Sequence, residues 1–116
     1  MIRNVFFSFL ICWTFFSCST SKTSLYSWYG LENNFYQYIK KQDDSSYEKL
    51  IESIDMILCE QKGIRNVAPP GVYAERGYIL IKQGKIEDGL TYLKKEIEVY
   101  PESEVLISRI IKQFEE

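Results

Sequence analysis

The chain predicts an all-α fold, a small array of about five helices, and three observations lead to that class. Apolar residues recur at three- and four-residue steps almost to the C-terminus. No stretch alternates apolar and polar residues in the manner of a half-buried strand. Glycines and prolines stand where helices of that spacing would begin and end.

The elements follow in order. A first helix is expected from about Glu32 to Lys41, carrying Phe35, Tyr36 and Ile39 on one side, before Asp43 to Ser46 supply turn and N-cap chemistry. In the second, Tyr47, Leu50, Ile51, Ile54, Ile57 and Leu58 form one apolar stripe that should run until Gly63 caps it. Pro69 and Pro70 suit the opening of a third helix, because the first turn does not need the N–H that proline lacks, and Gly84 should end it. The fourth places Ile86, Leu90, Leu93, Ile97 and Tyr100 on one buried ridge closed by Pro101. Ser103 is placed to cap a fifth helix, with Leu106, Ile107, Ile110, Ile111 and Phe114 inward and Arg109, Lys112, Glu115 and Glu116 outward.

Ahead of these elements, Arg3, an apolar run from Val5 to Phe16, Ser17 and Cys18 have the layout of a bacterial lipoprotein leader. The run is shorter than the roughly 20 apolar residues that span a bilayer, but it suits the core of a cleaved export signal. Residues 1–17 are thus expected to be a signal peptide, with Cys18 the lipidated first residue of the mature protein. Phe15 and Phe16 stand where a lipoprotein peptidase prefers Leu and a small residue, so an uncleaved anchor and ordinary secretory cleavage remain the alternatives. Residues 18–24 are small and polar and read as a flexible tether, leaving residues 25–116 as the folded domain. Ser19 in place of an Asp favours the outer membrane over the inner in a Gram-negative cell, and the domain would then face the periplasm. Diacylglycerol and an N-acyl chain on Cys18 would be the only attached groups; no cofactor or metal is expected.

Loss of the leader leaves 99 residues, enough for one domain with a modest core, and removal of Arg3 takes the net charge from −2 to −3. Weak acidity, with only the Lys40–Lys41 and Lys94–Lys95 pairs as basic clusters, argues against nucleic acid. Cys12 departs with the leader and Cys18 carries lipid, so Cys59 remains a lone thiol, read as a small buried hydrophobe. The chain has no histidine. Most hydrolase triads and zinc sites need one, and no Gly-rich phosphate loop, CxxC pair or calcium-loop spacing replaces it. The sequence therefore predicts a protein that binds, not an enzyme.

From Pro70 to Ser103 the punctuation resembles a tetratricopeptide repeat, about 34 residues of helix, turn and helix. Tyr73, Gly77, Leu80, Gly89, Leu93, Ile97 and Pro101 fall on its pattern, while Arg76 and Ile97 replace its usual Leu and Ala. Gly inside a helix costs about 1 kcal/mol relative to Ala, so Gly77 and Gly89 point to a close helix crossing. The phrases LYSWYG (25–30), APPG (68–71) and YPESEVLISRIIK (100–112), together with Cys18, resemble a family of small bacterial lipoproteins of unknown function. That resemblance implies a cell-envelope assembly with other envelope lipoproteins as partners, among them a subunit like the curli secretion channel. It supplies no catalytic residues.

Two surfaces are candidates for partner binding. Tyr26, Trp28 and Tyr29 cluster behind the tether and either strap the chain onto the helices or form a docking patch, since Tyr and Trp are enriched at interfaces. Tyr73 and Arg76 lie on the third helix where tetratricopeptide arrays line their groove, with a surface ion pair the plainer reading of Arg76. A reading of another class is a small carrier with an apolar ligand held between Tyr47, Tyr73 and Trp28. For the anchor, Cys18→Ala should abolish incorporation of labelled fatty acid and release the protein from membranes; persistent labelling would refute the assignment of Cys18.

Overall fold

In a computed structural model, residues 24–115 and Ile2 are described. The expected leader, Cys18 and nearly all of the tether lie outside the described residues. The described chain forms five α-helices and no strand: α1 (Leu31–Lys41), α2 (Asp44–Cys59), α3 (Val72–Lys82), α4 (Ile86–Val99) and α5 (Glu104–Glu115), with a 3₁₀ turn at Pro101–Ser103. Each helix packs against the next, and the α3–α4 pair is the most extensive contact. The all-α array is therefore the fold.

The helix starts follow local chemistry. Asp43 caps α2, its carboxylate accepting from the Ser46 N–H at 2.8 Å. Gly30 and Gly71 precede α1 and α3 in the left-handed region, at φ 72° and 92°. The third helix accordingly starts after the Pro-Pro-Gly corner; Pro69 turns the chain, its carbonyl accepting from the Val72 N–H at 3.3 Å.

The α3–α4 crossing depends on two glycines. A Cβ on Gly77 would lie 2.7 Å from the Gly89 carbonyl, and one on Gly89 would lie 2.6 Å from the Gly77 carbonyl and 2.5 Å from Ile81 Cγ1. Two backbones touch there, and only glycine at both positions permits it. Leu50, Ile54, Ile57, Ala68 and Val72 form one buried cluster between α2 and α3, and Ile81, Leu93, Ile107 and Ile111 form a second under α5.

Several expectations need correction. The second helix ends at Cys59 and not near Gly63. Gly63 instead makes room for the leading segment: a side chain there would strike the Leu25 carbonyl and the Tyr26 backbone. Cys59 is exposed, because it shares the outward stripe of Glu52 and Asp55, seven and four residues earlier, and not the inward stripe of Leu50, Ile54 and Ile57. Leu106 is 64% exposed, since the short α5 buries only the stripe centred on Ile107 and Ile111. Ile86, expected on the buried ridge, is exposed too. Ser103 ends a 3₁₀ turn that runs directly into α5, its N–H donating back to the Tyr100 carbonyl at 2.9 Å.

One charged side chain among the described residues is buried in the core. Glu96 on α4 is 1% exposed, and its carboxylate accepts from the Gly71 N–H at 2.7 Å and the Ala74 N–H at 3.4 Å. These are free donors at the start of α3, where the helix dipole also favours an anion. Glu96→Ala would remove the acceptor of these helix-start donors and leave a void in the core, and should cost about 2–4 kcal/mol in urea unfolding, whereas Glu96→Gln, which keeps one acceptor, should cost less. Equal losses for the two variants would show that the cap contributes nothing beyond packing.

Candidate interaction site

The leading aromatic residues are held by backbone chemistry. The Ile64 and Arg65 N–H groups donate to the Ser24 and Leu25 carbonyls at 3.1 and 3.2 Å. The Gln61 amide and the Ser27 backbone exchange two bonds, each 2.9 Å. Tyr29 and Gly30 then form a turn with φ of 46° and 72°, a strained conformation for tyrosine. Tyr29 is fixed at both ends, its hydroxyl donating to the Glu60 carbonyl and its own carbonyl lying 3.1 Å from Ser53 Oγ. Tyr26 and Trp28 meet edge to face at 6.1 Å. Trp28 nevertheless stays 49% exposed, so the strap presents one ring to solvent.

The two α3 candidates separate. Tyr73 packs half-buried against the α2–α3 core. Arg76 lies across α2, with Nε 2.9 Å from Asp55 Oδ1 and Nη2 donating to Oδ2 at 3.3 Å. The Nε–H is not directed at its oxygen, so the clasp is an ion pair with one aimed hydrogen bond. Beside it lies an open groove of about 600 Å³ between α2 and α3, bordered by Tyr47, Ile51, Asp55, Cys59 and Arg76. None of the described grooves brings Tyr47, Tyr73 and Trp28 together.

A second groove, of about 390 Å³, was not singled out in the sequence. Phe35 and Tyr38 of α1 form one wall, Tyr47 and Leu50 of α2 the floor, and Glu75, Tyr78 and Ile79 of α3 the other wall. Tyr38 and Tyr47 pack at 5.5 Å, and Gln83 Nε2 donates to the Tyr47 hydroxyl at 2.8 Å. Phe35 and Tyr78 remain exposed, with the Lys82 ammonium 5.4 Å from the Tyr78 ring. The first helix buries no residue completely, and Tyr36 and Ile39 extend the apolar surface outward. The available signal was the i, i+4 spacing of Phe35 and Ile39, which indicates a face but not that it stays uncovered.

Glu75 is the one acidic group lining the aromatic groove, and it has no ion-pair partner among the described residues. Burial raises its carboxyl above the ordinary value of 4.5. Tyr100 is pushed up to about 12, first by burial and then by the Tyr26 hydroxyl beside it and the Glu96 carboxylate, with Arg65 acting in the opposite direction. Its hydroxyl donates to the Ala68 carbonyl at 2.6 Å. Tyr26, Ala68 and Tyr100 come from the three phrases that marked the chain, so these phrases meet in the scaffold.

Residues 25–110, about three quarters of the chain, match the family described as Domain of unknown function (DUF4810). The chain belongs to that family. Comparison with curated proteins and with solved structures gives no significant match. The part that defines a DUF4810 domain thus begins at the strap and ends within α5, and takes in the aromatic groove. Among the described residues no three His, Cys, Asp or Glu side chains are grouped to hold a metal ion, and no helix is long and apolar enough to cross a membrane.

The raised carboxyl of Glu75 has a defined consequence for stability. An acid that is harder to ionise in the folded state destabilises the fold above its folded-state pKa and ceases to do so below the unfolded value near 4.5. Glu75→Gln should therefore raise the urea midpoint at neutral pH and leave it unchanged well below 4.5. A gain of equal size at both pH values would assign the effect to packing.

Proposed function

We propose that the protein is a lipid-anchored subunit of a bacterial cell-envelope assembly, held to the outer membrane through Cys18 and facing the periplasm, where its helical domain docks a partner protein. The observation that carries this reading is the aromatic groove between α1 and α3, continuous with a first helix that buries none of its residues completely. Exposed aromatic side chains around a groove are the composition of interface anchors. The groove is partly open to solvent and lined by residues of three helices, which suits a protein segment.

Other features support the same reading. The α3–α4 hairpin, with its glycine crossing, resembles one tetratricopeptide unit, and a single unit is too short to form a peptide groove alone. Here α1 and α2 supply the missing walls. The sequence resemblance to lipoproteins encoded beside other envelope lipoproteins, one like the curli secretion channel subunit, indicates the class of partner. Three acyl chains make attachment durable, and confinement at a membrane raises the effective concentration, so a modest groove contact suffices.

The test is purification of the tagged full-length protein from native membranes in mild detergent, with mass spectrometry of what accompanies it. Phe35→Ala with Tyr78→Ala should lose a specific envelope partner that wild type retains, and Trp28→Ala should weaken it. Both sites are exposed, so stability should change little. An accompanying set that is the same for all variants would refute the groove as the docking site.

A further inference from the structure

The outward faces of α2 and α5 carry complementary patterns of which the contacts above use only Asp55. On α2, Glu48, Glu52, Asp55 and Cys59 share one outward stripe flanked by the half-buried Ile51 and Met56, and all six border the larger groove. On α5, Val105, Arg109 and Lys112 share the face opposite the buried Ile107 and Ile111, with Leu106 at its edge. Val105 and Leu106 are among the most exposed apolar residues of the domain. Among the described residues the ion pairs are Arg76–Asp55, Lys94–Glu115 and Lys95–Glu98, so Glu48, Glu52, Arg109 and Lys112 are all uncommitted.

We infer that the groove beside α2 takes α5 of a second copy of this chain, in antiparallel orientation. The orientation follows from the order of charge. On α2 the uncommitted acids precede Met56, and on α5 the uncommitted bases follow Val105, so only an antiparallel pairing joins acid to base while placing apolar residue on apolar residue. In that register Arg109 faces Glu52, Lys112 faces Glu48, and Val105 lies over Met56. A parallel pairing with Arg109 opposite Glu52 would set Val105 against Glu48 and Lys112 against Asp55, already held by Arg76, and one with Arg109 and Lys112 opposite Glu48 and Glu52 would set Val105 against the polar Asp44–Ser45 start of α2.

The two surfaces differ, so the contact is heterologous: each copy offers both a groove and a helix, and copies join head to tail into a ring or a row. One helix in one groove is smaller than a standard stable interface, so the contact is weak in dilute solution and effective where copies are concentrated. This self-association goes beyond the adaptor role and uses none of the aromatic groove's exposed rings.

The same register brings Glu102 of one copy opposite Cys59 of the next, and both are exposed. The full-length Glu102→Cys variant, oxidised in cells with copper phenanthroline and run on a non-reducing gel, should give a ladder of linked species extending beyond dimers. Wild type and Glu102→Cys with Cys59→Ser, each lacking one thiol, should not. Arg109→Glu with Lys112→Glu should reduce the ladder about tenfold, and adding Glu48→Lys with Glu52→Lys should restore it. Unchanged helical circular dichroism would show that the charge variants fold. Absence of linkage above the single-thiol controls, or linkage indifferent to the charge reversals, would overturn the inference. Loss of the aromatic-groove partner without loss of the ladder would bear on the adaptor role alone.

Discussion

The buried carboxylate of Glu96 is the constraint on which the arrangement of the domain depends. Alone in an apolar core it would carry a large desolvation cost, which it avoids by accepting from the free N–H groups at the start of α3. That pairing sets the height of α3 against α4, because Glu96 can reach Gly71 and Ala74 only in one register. The same register places Gly77 against Gly89, where the backbones touch. The Tyr100 hydroxyl, one helical turn beyond Glu96, holds the Ala68 carbonyl on the other side of the Pro-Pro corner. The corner before α3 is thus bound from α4 by two side chains.

A second set of polar contacts ties the leading segment to this scaffold. Gln61 and Ser27 exchange hydrogen bonds across the α2–α3 loop, and Gly63 leaves space for the chain to pass. The strained Tyr29 turn is tolerated because Ser53 and the Glu60 carbonyl hold both ends of that residue. Tyr26 then reaches Tyr100, so the strap, the corner and the end of α4 share one buried spot.

The helices, the Asp43 cap and the glycine crossing were legible in the sequence, because each rests on local spacing or on a residue type with one strong use. The strap reading of Tyr26 and Tyr29 was legible as one of two alternatives. Less legible was the outcome of competition between faces. Leu106 and Ile86 fit a helical stripe as well as their neighbours do, yet a terminal helix with one packing partner buries only a narrow part of its surface. Gly63 looked like a helix cap because sequence spacing does not reveal a strand of chain passing over it. Glu96 could not be identified as a cap, since a Glu between Lys95 and Ile97 on an amphipathic helix reads as solvated. The aromatic groove was hidden for a related reason: its rings come from three helices.

The contrast between the seams explains why the grooves lie where they do. At the α3–α4 seam, glycines let the helices close until backbone meets backbone, and no space is left. Along α2 and α3 the separation is set in part by polar clasps, Arg76 with Asp55 and Gln83 with Tyr47, while the apolar cluster of Leu50, Ile54 and Ile57 fills only the inner side. A surface ion pair contributes little to stability, but a long guanidinium arm lying across the neighbouring helix fixes a distance. Held at that distance, α2 keeps a groove along each flank, one aromatic toward α1 and one with an acidic edge on its outward face. The domain is therefore tight where its fold is specified and open where α2 faces outward, and the open surfaces are those with chemistry suited to a partner.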